Sequence, residues 1–239
     1  MLLENIAKLA SDRFKVLSCT WTGLNDAIGG LLYIIKFFET NGLDYSNIHF
    51  SHVTYKDLDT YFNFNEIKYV EQPTFKNYNF VARLANGSLT RQFSTEYINK
   101  FITIKEKFIN EGNVFKDYVG VHFRHYRSEP DKPDRHKVFM EEVQEYSQKF
   151  LSRYSVNENY LIVSDNPIWD GFFKDKENIR YLVVPEPMMV PYKQVRERYL
   201  GLSVNHICCL AKCKKIYTTH GCFHELVRLI SDKIPKEKL

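Results

Sequence analysis

The chain has 239 residues, of which 44% are hydrophobic and 26% charged. That supports a buried core and excludes an intrinsically disordered chain, and the length allows one large domain or two small ones. A formal net charge of +4 is mild: a dedicated nucleic-acid binder carries a stronger, clustered excess, whereas a small anionic ligand needs no more than this.

The opening, MLLENIAKLASDRF, has no basic stretch followed by a long apolar run, so no signal peptide is expected. No stretch reaches the roughly eighteen uncharged apolar residues of a membrane span. Five Cys is an odd number and argues for free thiols over disulfides. The expectation is a cytoplasmic protein with no membrane span.

In chain order, residues 3–11 read as a helix and FKVLSC (14–19) as a buried strand. TWTGLND is a turn, with Gly23 as its flexible point. AIGGLLYIIKFFET (27–40) is a strongly apolar helix closed by Asn41-Gly42, with Asn25 or Asp26 placed to cap its start. NIHFSHV (47–53) is the next strand. Residues 54–95 are rich in aromatics and Asn and hold no sustained period. STEYINKFITIKEKFIN (94–110) reads as one amphipathic helix capped by Ser94 or Thr95, and EGN breaks the chain after it.

DYVGVHF (117–123) is a strand, residues 136–154 a helix, and NYLIVSD (159–165) a strand leading into a short helix near Pro167. IRYLVV (179–184) is a strand, and residues 192–213 are a helical region broken near Gly201. KKIYTT (214–219) is a strand, 222–232 the last helix, and KIPKEKL a solvated tail. Strands alternating with helices, with a break near 111–116, predict an α/β fold of two Rossmann-like lobes, 1–112 and 113–239.

In such sheets ligands gather at the carboxyl ends of strands. Four places follow. At the first, Gly23, Asn25 and Asp26 join a strand to a helix whose backbone N–H groups suit an anion. Neither a dinucleotide-binding glycine pattern nor a Gly-Lys-Ser/Thr loop is present, and a simple capped helix remains open. At the second, YVGVHFRHYRSEPD, alternation puts Val119, Val121 and Phe123 on one face and Gly120, His122 and Arg124 on the other. A guanidinium there can grip a phosphate through two parallel hydrogen bonds. Glu129 and Asp131 follow, and a charged loop pairing Arg127 with Asp131 is the other reading. At the third, Asp165 could hold a sugar hydroxyl or a base N–H, unless it or Asn166 caps the helix beginning at Pro167. At the fourth, Thr218, Thr219, His220 and Gly221 separate a strand from a helix. Thr218, Thr219 and the N–H groups of Gly221 to Phe223 could cradle a diphosphate at the helix start, or Thr219 could cap the helix.

Cys209-x3-Cys213 and His220-x3-His224 stand six residues apart, too close for a zinc finger. ICCLAKC is an apolar helical stretch in which Cys serves as a small core residue. Basic residues do not interleave with aromatics along one face, so no nucleic-acid partner is expected.

Taken in order, these motifs resemble a family. TGLNDAIGGLLYIIKFFETNG is similar to the first glycine-turn motif of the fucosyltransferase superfamily that includes nodulation, core α1,6- and protein O-fucosyltransferases. VGVHFRH resembles its His-x-Arg strand-end motif, with His125 where many relatives carry a second Arg. YLIVSDN resembles its second motif and LAKCKKIYTTHGCFHELVRLIS its third. The resemblance implies a GT-B-like fold, two Rossmann-like lobes with a cleft between them, and a nucleotide-sugar donor in that cleft, GDP-fucose favoured. It also implies inverting transfer to a hydroxyl of a glycan or glycoconjugate acceptor, with no metal or other cofactor. It places Arg124 on the donor diphosphate, His122 beside it, and Thr218 and Thr219 near the phosphates. The candidate donor-binding residues are therefore Gly23, Asn25, His122, Arg124, Asp165, Thr218, Thr219, His220 and Gly221. The candidate catalytic residues are Arg124 and one base among Asp26, Glu129 and Asp131. A transferase using another donor, such as a rhamnosyl nucleotide, and a noncatalytic nucleotide-sugar-binding module are the rival readings.

Overall fold

Alternating apolar runs and helices become two separate parallel sheets. The structure, a computed structural model, describes residues 15–19, 24–46, 48–52, 57–70, 92–124, 133–184, 199–219 and 223–239. The expected helix 3–11 lies outside them. The chain divides into two compact units: Met1–Glu106 with Arg228–Asp232, and Lys107–Val227 with Lys233–Leu239.

In the first unit, β1 (Lys15–Cys19), β2 (Ile48–His52) and β4 (Lys68–Tyr69) form a parallel sheet in the order β1-β2-β4. Helix α1 (Leu24–Thr40) connects β1 to β2. Its buried residues include Ile28, Leu31, Leu32, Ile35 and Phe38, which leaves it little polar face. The helix starts earlier than expected, so Asn25 and Asp26 lie in its first turn and neither is its cap. Asp26 there meets the positive end of the helix dipole. The Asn41-Gly42 closure is as expected. Leu43 N–H donates to the Phe38 carbonyl at 2.9 Å and Gly42 N–H to that of Glu39 at 3.2 Å, with Gly42 at φ +63°.

The single helix expected over 94–110 is two helices with a strand between them. Helix α2 (Leu58–Tyr61) leads into β3 (Phe62–Phe64), and α3 (Thr95–Phe101) leads into β5 (Ile102–Ile104), which pairs antiparallel with β3; α4 (Glu106–Glu111) follows. The cause is Ile-Thr-Ile. Three β-branched residues lose rotamer freedom in a helix and pack well on a pleated surface. Ser94 caps α3 as expected, its hydroxyl accepting from Tyr97 N–H at 3.1 Å.

In the second unit a short 3-10 helix (Gly112–Phe115) precedes a five-stranded sheet. The strands are β6 (Tyr118–Phe123), β7 (Asn159–Ser164), β8 (Ile179–Val183), β9 (Lys215–Thr218) and β10 (Lys236–Lys238). All pair parallel, in the order β10-β9-β6-β7-β8. Helix α5 (Pro133–Leu151) joins β6 to β7, and α6 (Leu200–Leu210) leads to β9.

Alternation along β6 holds. Val119, Val121 and Phe123 share a core with Phe139, Val143 and Phe150 of α5 and with Trp169. On the other face, a Cβ on Gly120 would stand 2.8 Å from Leu210 and 3.2 Å from the Cys213 sulfur. Both faces of the sheet are therefore covered, as parallel sheets require. The last helix expected over 222–232 is instead a 3-10 segment, Phe223–Leu229.

The expectation of a solvated tail is overturned. Residues 236–238 form β10: Ile216 N–H donates to the Pro235 carbonyl at 2.8 Å, Leu239 N–H donates to the Thr218 carbonyl at 2.7 Å, and Leu239 is buried. Lys-Glu-Lys carries no apolar alternation because β10 is an edge strand, where exposed charges discourage further pairing.

Two predictions arise from α6. A Cβ on Gly112 would lie 2.5 Å from the Cys208 carbonyl oxygen and 2.9 Å from its carbon. Those are backbone atoms that cannot rotate away, so Gly112→Ala is expected to cost about 3 kcal/mol in urea unfolding. His206, 4% exposed, is pushed by burial down to about 4. The unfolded chain binds a proton on this residue below its ordinary value of 6.5, and the folded chain does not until pH falls to about 4. Stability is therefore lost as pH drops through that window. Between pH 7 and pH 5 the wild type should lose about 2 kcal/mol more than His206→Gln, read from denaturant midpoints at both pH values.

Candidate functional site

The chain runs outward from β6 to β7 and β8, then returns to the other side of β6 with β9 and β10. Counted from β6, the spatial order is 3-2-1-4-5. The strand order reverses between β6 and β9, and the carboxyl ends flanking such a switch point are where open α/β sheets seat ligands. Those two ends carry His122, Arg124, Thr218 and Thr219.

His122 stands in register with Thr218 across β6 and β9, so both side chains leave the same face. Both are buried. Thr219 clips the two strand ends together. Its N–H and hydroxyl donate to the His122 carbonyl at 3.2 and 3.3 Å, and its hydroxyl oxygen accepts from Arg124 N–H at 2.9 Å. The hydroxyl thus serves the strand end that bears Arg124.

Asp165 follows β7, whose Ser164 is in register with Phe123. Its Oδ2 lies 4.0 Å from Arg124 Nε, with both side chains about a quarter exposed, at 26% and 23%. Asn166 is the cap of the 3-10 helix Pro167–Trp169: its Oδ1 accepts from Ile168 N–H at 3.0 Å, and its own N–H donates to the Ser164 hydroxyl at 3.1 Å. Capping falls to Asn166, and the Asp165 carboxylate is left to face Arg124. A guanidinium in such a place is a planar fork of donors whose geometry matches a phosphate.

The His122 ring lies 5.4 Å from that of Phe223 and 5.9 Å from that of His224. His224 Nε2 is 3.2 Å from Glu225 Oε1, and Glu225 Oε2 accepts from Lys236 Nζ at 3.1 Å. Of these last three, His224 enters the sequence reading only through its His-x3-His spacing, Glu225 has no spacing signal, and Lys236 falls in the expected tail.

The structure therefore brings together His122, Arg124, Asp165, Thr218 and Thr219. Asn25, buried, and Asp26, partly buried, belong to the first unit. Gly23, Glu129, Asp131, His220 and Gly221 lie outside the described residues. The first unit also holds a groove of about 510 Å³ lined by Tyr33, Phe37, Phe93 and Tyr97. Cys208, Cys209 and Cys213 are buried core residues whose thiols burial pushes up to about 12. Among the described residues no group of three or more His, Cys, Asp or Glu could hold a metal ion, and no helix is long and apolar enough to cross a membrane.

Neither a protein-family model nor a curated protein sequence matches the chain. Solved structures do. NodZ α-1,6-fucosyltransferase co-crystallised with GDP matches with a TM-score of 0.55 at 11% identity, over 92% of this chain and 93% of that one. The same enzyme soaked with GDP-fucose gives 0.54 at 11% identity over 92% and 93%. Fucosyltransferase NodZ from Bradyrhizobium gives 0.55 at 12% identity over 92% and 94%. At such identity the likeness is one of fold, and it spans nearly the whole of both chains.

Proposed function

We propose that this chain is a glycosyltransferase of the fucosyltransferase kind, transferring fucose or a related deoxyhexose from a nucleoside diphosphate to a glycan hydroxyl. The observation that carries this reading is the meeting of His122, Arg124, Asp165, Thr218 and Thr219 at the switch point of the second unit. The shared fold supports it, since the neighbouring structures include one soaked with GDP-fucose and one co-crystallised with GDP. We assign the chain the GT-B arrangement, with an acceptor-side lobe over 1–112 and a donor lobe over 113–239.

In this mechanism an acceptor hydroxyl attacks the anomeric carbon, the bond to the diphosphate breaks, and the configuration inverts. Negative charge grows on the leaving diphosphate while the sugar gains oxocarbenium character. Arg124 meets that charge with parallel hydrogen bonds, in a position set in advance by its backbone bond to Thr219 and by Asp165. His122 and Thr218 line the same strand ends. With a guanidinium in that place the leaving group needs no metal. The acceptor proton passes to a carboxylate, with Asp26, Glu129 and Asp131 as the candidates.

A thermal-shift panel of GDP, UDP, dTDP and their sugars tests the reading. Stabilisation by GDP and GDP-fucose above the others is expected, growing as RT ln(1 + [L]/Kd). Selective stabilisation by a dTDP-sugar would replace the donor, and binding without nucleotide release in the presence of any acceptor would leave a noncatalytic module. No response to any nucleotide would sink the proposal.

A further inference from the structure

Among the described residues, one carboxylate of the second unit is buried: Glu225, 6% exposed. A buried carboxylate is costly unless its charge is met. Burial alone would raise this carboxyl, but the His224 hydrogen bond and the Lys236 charge outweigh it and hold it well below the usual carboxylate range. Each oxygen of Glu225 thus has its own donor, Oε1 facing His224 and Oε2 facing Lys236. His224 must present an N–H at Nε2 to Glu225, which fixes the ring plane. A histidine whose orientation is set by a carboxylate behind it is a familiar device for holding a working group in place.

His224 in turn packs against His122. Its ring lies 5.9 Å from that of His122, at 55°, and Phe223 closes on His122 from 5.4 Å. His122 is the residue whose carbonyl Thr219 grips, two positions before Arg124. A continuous set of contacts therefore runs from Lys236 on the edge strand through Glu225 and His224 to His122 at the switch point.

We propose that Glu225 is a positioning residue for the diphosphate-binding end of the sheet: it orients His224, which with Phe223 fixes the His122 ring and the strand end that presents Arg124. This rests on the nucleoside-diphosphate reading above. An ion pair that only braced the fold could be replaced by apolar residues without changing what the folded protein binds. A positioning pair could not.

The test uses the full chain with Glu225→Leu, Glu225→Gln and Lys236→Met, titrated calorimetrically with GDP and with inorganic pyrophosphate. Histidine side-chain nitrogen NMR is recorded on each. In the wild type His224 should carry a proton on Nε2; a bare Nε2 would overturn the proposal. Glu225→Leu should weaken GDP binding by about tenfold or more, on the scale seen when outer partners of a binding site are removed, and should shift the His122 signals. Glu225→Gln, which keeps an oxygen toward His224, should recover part of that loss. Should Glu225→Leu not fold, the other two variants decide. Folded variants with moved histidine signals and unchanged GDP affinity would show a bracing role and overturn the proposal alone. A wild type that binds neither GDP nor pyrophosphate would overturn the functional reading and this inference with it.

Discussion

Arg124→Ala is expected to weaken nucleoside-diphosphate binding by about 100-fold or more while leaving the melting temperature nearly unchanged. The side chain stands just past β6 and is mostly covered, with Nε toward Asp165 at 4.0 Å. Its backbone N–H is held by Thr219, and that bond survives truncation. The loss therefore falls on the ligand. Two charge-assisted hydrogen bonds to phosphate, each contributing about 1.5–3 kcal/mol, account for the expected factor. Arg124→Lys should restore part of the affinity, because it returns the charge without the planar fork. Calorimetric titration with GDP measures both, and donor hydrolysis gives the matching rate. Wild-type affinity in Arg124→Ala would remove Arg124 from the site and the switch-point reading with it.

Phe123→Ala is expected to cost about 4 kcal/mol, the largest stability effect predicted for the chain. Phe123 sits between His122 and Arg124 but faces the opposite side of the sheet. It is fully buried, its ring stacked on Trp169 at 3.8 Å and 6° and meeting Phe150 edge-on at 6.1 Å. Domains of this size are stable by only about 5–15 kcal/mol, so the second unit should unfold at much lower urea. Near-ultraviolet circular dichroism should register the lost Phe123–Trp169 stacking. Phe123→Leu, which keeps most of the volume, should cost far less. An alanine variant with the wild-type midpoint would mean that this core does not anchor the strand carrying the site.

What was legible in the sequence followed from local physics. Val119, Val121 and Phe123 alternate with Gly120 and His122 because β6 is buried on two different surfaces, one of large side chains and one where Leu210 and Cys213 press close at Gly120. Ser94 and Asn41-Gly42 announced helix ends through bonds spanning a few residues. The strand between α3 and α4 was hidden because its partner, Phe62–Phe64, is some forty residues away and nothing in Ile-Thr-Ile names it. β10 was hidden because an edge strand is held by backbone bonds, to which side-chain pattern is blind. The candidate site divides in the same way. Charged and hydroxyl residues at the strand ends pointed to His122, Arg124, Asp165, Thr218 and Thr219. Which two strand ends are neighbours is a matter of spatial order, and so is the pairing of Glu225 with Lys236.

The buried cysteines give the second unit an internal clock. With thiols at about 12 and almost no exposed surface, Cys208, Cys209 and Cys213 cannot meet an alkylating reagent while α6 stays packed. Their modification counts openings of the helix against the sheet. With Cys19 and Cys222 changed to Ser, the labelling half-time reports how often the unit breathes. A ligand seated at the far end of β6 and β9 would lengthen that half-time by the factor 1 + [L]/Kd, so its occupancy could be timed without any assay of transfer.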